Sequence, residues 1–398
     1  MRMLVLGAGL QGSACAYDLL QNPDVEEVRL ADINVQSLPP FLAPYAGPRL
    51  IPTPLDVRDR AAVIAVMRSS QAVMSAIPYY FNLDMAKCAL EAGVHFADLG
   101  GNTEIVIGQK ELDAEARAKG ITIVPDCGLA PGMVNILAEY GIQQLDAVES
   151  VKIFVGGLPQ HPEPPLNYQV VYSLEGVLDY YTTRSWIVRD GRGQQVDALS
   201  EVEPVEFGDG VGTLEAFHTA GGLSTMAFRY DAKIPTMEYK TLRYPGHAKI
   251  MAAIRDLGLL GLEPVDVKGS SVVPRDVFIA TAGPRLTRDA PDLVALRVEV
   301  SGSSGGTPRR LVWELIDRAD EERGISAMMR TTGYSLSITG QMQVRGEVRP
   351  LGAHTPDECV PAARYIAELG KRGIEIKEFS SEGRRSRGES SRARRARK

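Results

Sequence analysis

The chain has 398 residues, enough for two or three domains at about 150 residues each, and its 44% apolar and 24% charged residues are typical of a soluble globular protein. No apolar run approaches the ~18 residues of a membrane span, and no signal-peptide core is present. We therefore expect a cytoplasmic location and no membrane partner. The net charge is −6, and setting aside the eight basic and two acidic residues of 381–398 leaves about −12 on residues 1–380, which argues against nucleic acid as a partner.

The first 130 residues alternate short apolar runs with helical patterns. This alternation predicts an α/β fold, in which a doubly wound parallel sheet of the Rossmann type forms through right-handed crossovers. We therefore assign residues 1–130 to a nucleotide-binding Rossmann domain. The segments that we interpret as its strands are MLVL, EVRLAD, LIPTPLD, QAVMSAIP, VHFADLGG and ITIVPDCG.

The segment GAGLQG follows the first strand and opens the first helix, which is the arrangement of a dinucleotide-binding turn. Gly7 allows the tight turn, Gly9 lets the backbone approach a pyrophosphate, and Gly12 lets helix and strand pack closely. The helix begins at Leu10 and Gln11, where free N–H groups favour an anion. These five residues are predicted to bind a dinucleotide cofactor.

Asp32 ends the second strand, twenty residues after Gly12, where a carboxylate accepts hydrogen bonds from the adenosine ribose hydroxyls. It would repel a 2′-phosphate, and no arginine follows it within five residues, so the cofactor predicted here is NAD. Further cofactor contacts are predicted after the third and fourth strands, at Asp56, Val57, Ser75, Ala76 and Pro78.

From about residue 148 apolar and polar residues alternate, as in VESVKIFVGGL, TMEYKTLRY and LVALRVEVSG. Period-two alternation predicts strands with one solvated face, and short helical patterns interrupt them, so residues 131–324 are predicted to form a second α+β domain with a mixed or antiparallel sheet. This domain is expected to bind the substrate. Residues 325–378 are predicted to complete the first domain, and residues 379–398 to form a disordered basic tail, since Ser/Gly/Arg composition cannot bury a core.

Six segments of the chain are distinctive: HFADLGGN, DCGLAPGMVN, LNYQVVYSLEGVLDYY, LEAFHTAGGLSTM, EYKTLRYPGH and TTGYSLSITGQM. With them the chain resembles the saccharopine dehydrogenase-like family, and within it the lysine 6-dehydrogenase branch, over about residues 1–378. The resemblance implies oxidation of a CH–NH₂ group of an amino acid with NAD, most closely L-lysine at its 6-amino group, to a semialdehyde that cyclises to piperideine-6-carboxylate. It also implies that residues 131–324 form the dimerisation surface, with a subunit that pairs through its substrate-domain sheet into a homodimer or a dimer of dimers.

Two further functions stay open. A saccharopine- or carboxynorspermidine-type dehydrogenase would act on a larger secondary amine, and additional carboxylates on that substrate would need additional cationic residues. A non-enzymatic NAD-sensing regulator would need a DNA-binding module, for which only the basic tail is available. The length of the pocket and the number of cationic residues in it would distinguish this type of enzyme from a lysine dehydrogenase.

Amine oxidation needs a base for the ammonium and a partner for the substrate carboxylate. His247 opens a helix and is predicted as the acid/base group, with helix capping as the alternative. Arg243, four residues earlier, is predicted to hold the carboxylate, with an ion pair inside the sheet as the alternative. Asp98 and Asp126 end strands at the crevice and are predicted as further catalytic groups. Additional substrate contacts are predicted at Asn102, Tyr168, Glu175, Thr219 and Ser224.

No metal site is predicted, because the four cysteines are far apart and form no C-x-x-C pair. Cys127 lies beside Asp126, but no base is identifiable for it. We interpret it as a small core residue rather than a nucleophile.

Overall fold

The computed structural model describes residues 1–382. Within them the predicted fold class is confirmed: a seven-stranded sheet of parallel strands carries the first domain, and a nine-stranded mixed sheet carries the second. The part of the predicted basic tail beyond residue 382 lies outside the described residues. No helix of residues 1–382 has both the length and the apolar character that a membrane crossing requires.

The first domain is wound in both directions from its central strands. The first strand pairs on one side with the second and on the other with the fourth, all in parallel, so the strand order reverses between them. Ligands of such sheets bind beyond the carboxyl ends of the strands at this reversal. The elements in chain order are β1 (Arg2–Leu6), α1 (Leu10–Gln21), β2 (Glu27–Asp32), β3 (Leu50–Pro54), α2 (Arg60–Met67), β4 (Ala72–Ser75), α3 (Asn82–Ala92), β5 (His95–Asp98), α4 (Thr103–Lys110), α5 (Asp113–Ala118), β6 (Thr122–Val124) and α6 (Met133–Ile142).

The second domain is built around a long central strand that pairs in parallel with one neighbour and antiparallel with the other. A long hairpin follows, whose second strand alternates buried and partly exposed residues, as expected for a sheet with one solvated face. The elements are β7 (Ala147–Pro159), α7 (Leu174–Thr182), β8 (Ser185–Arg189), β9 (Arg192–Val196), β10 (Glu203–Phe207), β11 (Gly212–His218), α8 (Met226–Arg229), β12 (Thr236–Arg243), α9 (His247–Asp256), β13 (Val265–Val267), β14 (Ser270–Val272), α10 (Pro274–Leu286), β15 (Asp292–Ser304) and β16 (Thr307–Arg318).

The C-terminal segment returns to the first domain and then leaves it again. Its long helix packs against α1, β4 and β5, and a short strand pairs in parallel with β6 to extend the first sheet. The last strand instead pairs antiparallel with β16 at the edge of the second sheet. The elements are α11 (Ala327–Val344), β17 (Gly352–Ala353), α12 (Pro356–Cys359), α13 (Ala362–Lys371) and β18 (Lys377–Glu382).

Strand β18 corrects the predicted boundary at residue 378. Backbone pairing to β16 orders residues 379–382. Residues 377–382 therefore belong to the second sheet rather than to the first domain or to a disordered tail. An edge strand needs only backbone partners on one side, which composition does not reveal.

Candidate active site

A cavity of about 630 Å³ lies between the two sheets, beyond the carboxyl ends of β1, β4, β5 and β6. Its walls come from the loops after those strands, from one face of β12, from β7, from α7 and from α11. Its size is that of a small-molecule site. The residues that line it include Gly9, Leu10, Gln11, Ala76, Pro78, Gly100, Gly101, Gly128, Tyr172, Glu175, Asp179, Tyr180, Tyr239, Thr241 and Arg243.

The glycine-rich turn has the geometry that a bound dinucleotide requires. Gly7 has φ +95°, and a Cβ added at Gly12 would lie 1.8 Å from the Gly7 carbonyl oxygen, so both positions exclude side chains. A Cβ at Gly9 would meet no atom within 4 Å, so the backbone there is open to the cavity. Leu10 and Gln11 line the same wall, and the Gln11 side-chain amide is buried without a partner among residues 1–382. These residues fit a polar, anionic ligand at the start of α1.

Asp32 is fixed beside this turn at the end of β2. Its Oδ2 accepts a hydrogen bond from the Ala8 N–H at 2.7 Å, and its Oδ1 accepts one from the Asn34 N–H at 3.0 Å. The carboxylate is half-buried and keeps acceptor capacity for ribose hydroxyls.

Of the other five predicted cofactor residues, two line the cavity and three do not. Ala76 and Pro78 line the cavity, whereas the hydroxyl of Ser75 is buried and donates to Asn82 at 2.9 Å, so the prediction for Ser75 is corrected. Asp56 is exposed and paired with Arg58. Val57 is half-buried and packs on the first-domain core.

Arg243 is a buried cation in the cavity wall. It is only 3% exposed yet lines the cavity, on the same face of β12 as Tyr239 and Thr241. Its Nε donates to the Tyr181 hydroxyl at 3.2 Å and its Nη1 to the Leu242 carbonyl at 2.8 Å. No carboxylate of residues 1–382 pairs with it, so the predicted alternative of an ion pair in the sheet is not what the structure has.

His247 is not the cavity base that its position suggested. It is 2% exposed and does not line the cavity; its Nε2 lies 2.9 Å from the Tyr181 hydroxyl and its Nδ1 lies 3.2 Å from the Leu166 carbonyl. Burial, and then the nearby charge of Arg243, lower the pKa of His247 to about 3. The prediction of an acid/base role is corrected: the ring is a neutral core group next to Arg243.

Asp98 and Asn102 also serve the fold rather than the cavity. Asp98 is fully buried and accepts from the Gly100 N–H at 2.7 Å and from the Gln109 amide at 2.6 Å. Desolvation raises the pKa of Asp98 to about 6 against these hydrogen bonds. Asn102 caps α4 by accepting from the N–H groups of Glu104 and Ile105.

Asp126 lies directly behind the cavity wall. A Cβ at Gly100 would meet its Oδ1 at 1.7 Å, and that oxygen is buried without a partner among residues 1–382. The Ser224 hydroxyl donates to its Oδ2, so Ser224 contacts Asp126 and does not line the cavity. Desolvation above all raises the pKa of Asp126 to about 8, assisted by the charge of Asp98. This carboxyl group therefore changes its protonation near neutral pH.

Of the remaining predicted substrate contacts, only Glu175 lines the cavity. Thr219 is buried, with its hydroxyl 2.7 Å from that of Thr241, and it stands behind the wall. Tyr168 is also buried, and the guanidinium carbon of Arg243 lies 4.9 Å from its ring centroid. Neither residue lines the cavity, so the prediction of direct substrate contact is wrong for both. Each instead contacts a residue that does line it, Thr241 or Arg243.

The sequence interpretation missed a polar and aromatic wall made by Tyr172, Asp179, Tyr180 and Tyr239. The signal was present in part, because residues four apart on a helix share a face, and Asp179 follows Glu175 by four positions on α7. Asp179 pairs with Arg275, which leaves Glu175 as the lining carboxylate without an ion pair among residues 1–382.

Comparisons with known proteins agree with this architecture. A family model described as the saccharopine dehydrogenase NADP binding domain matches residues 3–124, and one described as the saccharopine dehydrogenase C-terminal domain matches residues 128–374. The first domain is thus a pyridine-nucleotide-binding domain. The solved apo saccharopine dehydrogenase (L-Glu forming) from Saccharomyces cerevisiae shares the fold, with a TM-score of 0.77 and 22% identity over 96% of this chain and 99% of that chain.

Two curated relatives align at lower coverage. Alpha-aminoadipic semialdehyde synthase, mitochondrial, from Mus musculus is 27% identical over 274 residues, which are 66% of this chain and 29% of that protein. Saccharopine dehydrogenase [NADP(+), L-glutamate-forming] from Saccharomyces cerevisiae is 27% identical over 273 residues, 65% of this chain and 58% of that protein. The alignments therefore span less than two thirds of the length of either relative.

Proposed function

The chain belongs to the saccharopine dehydrogenase family, and from that premise we propose that it is an oxidoreductase that oxidises the 6-amino group of L-lysine with NAD. The observation that carries the proposal is Arg243, a buried guanidinium that lines the cavity without a carboxylate partner among residues 1–382. An unpaired buried cation is costly unless a ligand supplies the anion. An amino-acid carboxylate has the fork geometry to do so.

The charges on the cavity wall favour lysine over saccharopine. Among the described lining residues Arg243 is the one cation, and Glu175 is the carboxylate without an ion pair, because Asp179 pairs with Arg275. The α-carboxylate and the α-ammonium group of lysine complement these two charges, and the 6-amino group is the one that is oxidised. Saccharopine carries further carboxylates, and the wall offers no second cation for them.

In this proposal Arg243 binds the α-carboxylate and Glu175 pairs with the α-ammonium, so the substrate's 6-amino end points toward the glycine-lined wall at Gly100 and Gly128. That amine must lose a proton before its carbon can release hydride, and the ionised form of Asp126, behind Gly100, which predominates above its pKa of about 8, would receive it. A pyridine nucleotide held by Gly9, Leu10, Gln11 and Asp32 would supply the hydride acceptor. The imine that remains takes up water and loses ammonia to give the semialdehyde.

The choice of NAD over NADP rests on Asp32. Its carboxylate is held beside the glycine-rich turn by the Ala8 N–H, and a 2′-phosphate placed there would meet its negative charge. Arg58, in the loop between β3 and α2, is paired with Asp56. Replacing Asp32 with Ser should therefore narrow the preference for NAD, measured as kcat/KM with each nucleotide.

The test is a substrate screen. The purified protein should reduce NAD with L-lysine, followed by the absorbance of the reduced nucleotide, and should leave saccharopine and carboxynorspermidine largely unreacted. Oxidation of saccharopine in preference to lysine would replace this proposal by the activity named for the yeast relative. The cytoplasmic location, the homodimer or dimer of dimers, and the alternative of an NAD-sensing regulator remain predictions from the sequence.

A further inference from the structure

We infer that His247 is a positioning residue, which aims Arg243 into the cavity through the hydroxyl of Tyr181 and so sets the specificity for a carboxylate-bearing substrate. The inference rests on the proposed function in one respect, that Arg243 receives the substrate carboxylate. The three side chains are fully buried or nearly so, and they come from three elements, α7, β12 and α9.

The direction of each hydrogen bond follows from one carbonyl group. The Leu166 carbonyl can only accept, so the Nδ1 of His247, 3.2 Å away, must carry the ring proton. The Nε2 is then a bare acceptor, and the Tyr181 hydroxyl 2.9 Å away donates to it. The Tyr181 oxygen is left with lone pairs, one of which accepts from the Nε of Arg243 at 3.2 Å. The hydrogen bonds therefore all run in one direction, with Arg243 donating to Tyr181, Tyr181 to His247 and His247 to the Leu166 carbonyl.

This arrangement holds a guanidinium without neutralising it. A carboxylate in place of Tyr181 would fix Arg243 equally well but would compete with the substrate for its charge. The hydroxyl satisfies Nε, the Leu242 carbonyl satisfies Nη1, and the Tyr168 ring lies under the guanidinium carbon at 4.9 Å. The Nη2 donates to no group of residues 1–382 and is left for a ligand in the cavity.

The surroundings of His247 keep the ring neutral and immobile. Phe217 stacks parallel to it with centroids 6.3 Å apart, and Tyr168 and Tyr181 meet it edge to face. A protonated ring would present Nε2–H to Tyr181 and turn the tyrosine proton toward Arg243. Tyr181 would then offer no acceptor to the guanidinium in the present geometry.

The experiment compares a substrate with and without the carboxylate. For each variant, kcat/KM is measured for L-lysine and for 1,5-diaminopentane, which has the same carbon chain and both amines. Tyr181→Phe keeps the ring and removes the shared hydroxyl. The expected result is a fall of about tenfold to a hundredfold for lysine, carried by KM, with the diamine unchanged, which is the size of a hydrogen bond to a charged group.

A pair of substitutions at His247 separates positioning from packing. His247→Gln can place an amide oxygen near the Nε2 position and still accept from Tyr181, whereas His247→Asn can place its amide near Nδ1 and keep only the contact to Leu166. The Gln variant should retain the preference for lysine over the diamine, and the Asn variant should lose it, although both lose packing against Phe217. Equal preference in the two variants would overturn the inference.

The matched control is Tyr230→Phe. Tyr230 also accepts a hydrogen bond from an arginine, Arg229, at 2.7 Å, but neither residue lines the cavity. Its loss should leave the lysine-to-diamine ratio unchanged even if stability falls. A change in that ratio as large as in Tyr181→Phe would show that the ratio reports general destabilisation, and the inference would fail.

A readout that needs no substrate separates this inference from the proposed function. Nitrogen chemical shifts of the histidine rings should show His247 as the neutral Nδ1–H tautomer in the nucleotide-free protein, and Tyr181→Phe should shift its Nε2 resonance. An Nε2–H tautomer would overturn the inference whatever the substrate is. If the predicted tautomer is present but neither lysine nor the diamine is oxidised, the proposed function fails, while the hydrogen-bonded arrangement around Arg243 stands.

Discussion

Single residues decide the chemistry of this cavity because its low dielectric leaves each charge poorly screened. Arg243 keeps its charge, Asp126 is driven toward its neutral form, and His247 is held neutral beside the arginine. Burial disfavours the charged form of all three groups, but neighbouring tyrosines favour the arginine cation, whereas Asp98 adds negative charge next to Asp126. Burial therefore leaves Arg243 charged but favours the neutral form of Asp126.

The first prediction tests whether the planar, paired N–H donors of the Arg243 guanidinium bind the substrate. Replacing it with Lys keeps the positive charge but loses the planar pair of donors and the hydrogen bond to Tyr181. We expect kcat/KM for lysine to fall by about tenfold to a hundredfold while nucleotide affinity, measured by titration, is retained.

The control is Arg297→Lys. Arg297 lies over the Phe207 ring at 4.4 Å on the second sheet, but it does not line the cavity. It should keep near-normal kinetics. Near-normal kinetics in a folded Arg243→Lys variant would contradict a substrate role for the guanidinium.

The second prediction concerns the pH dependence of stability through Asp126. Its folded-state pKa of about 8 lies above its ordinary value of 3.8, so between these values the unfolded chain loses the proton while the folded protein keeps it. The contribution of this group to stability is complete below about pH 4 and is lost as the pH rises to about 8. Asp126→Asn does not titrate, so its stability relative to the unsubstituted protein should rise across that window.

Denaturant unfolding of both proteins at several pH values measures this difference. Asp98, whose pKa is also raised, is present in both proteins, so its own pH dependence largely cancels. Asn is close in shape and can still accept from the Ser224 hydroxyl. A stability difference that stays constant from pH 4 to pH 8 would show that Asp126 titrates normally in the folded state.

At the scale of elements, helix α7 has a cavity-facing side that could be predicted from the sequence only in part. Glu175, Asp179 and Tyr180 lie on the face toward the cavity, while Tyr181 turns toward His247 in the core. Helical periodicity relates the first two, but it does not say which of two adjacent tyrosines meets the cavity. That depends on β11 and α9, which pack against the helix from distant parts of the sequence.

The third prediction tests the edge strand β18. A chain ended after Ile376 loses all six register positions with β16, whereas a chain ended after Glu382 keeps them. We expect the shorter chain to have a lower Tm than the longer one, because β16 loses its backbone partner and becomes an unpaired edge. Differential scanning calorimetry of the two truncated proteins measures the difference. Equal Tm values would mean that β18 adds nothing to the folded state.

The nucleotide-binding domain could be predicted closely because its signals are local. The turn from Gly7 to Gly12, the strand before it and Asp32 all lie within one short stretch of chain. The roles of His247 and Thr219 could not be predicted, because their partners Leu166, Tyr181 and Thr241 are brought to them only by the folded second domain. A histidine at a helix start looks the same in sequence whether its ring faces a cavity or a carbonyl.

At the scale of the whole molecule, the two sheets share one apolar cluster, in addition to clusters that belong to one domain alone. One apolar cluster includes Val5 and Val28 of the first sheet together with Val151 and Trp313 of the second. Helix α11 joins them, since it packs against β4 and β5 on one side and against β15 and β16 on the other. The cavity lies along this junction, so its two walls are held at a fixed separation by the shared core.

The last prediction follows from that shared core. If the sheets unfold together, calorimetry should give one transition, and the fluorescence of the two tryptophans, Trp186 and Trp313, both in the second sheet, should change at the same temperature. Leu336→Ala, at a fully buried position of α11, should destabilise the protein by about 2–5 kcal/mol and lower the Tm of this single transition without splitting it. Leu257→Ala, at a position that is 77% exposed, is the control and should change the Tm little. Two separate transitions in the Leu336 variant, with the fluorescence following only one of them, would show that the sheets are independent units and that α11 belongs to the first alone.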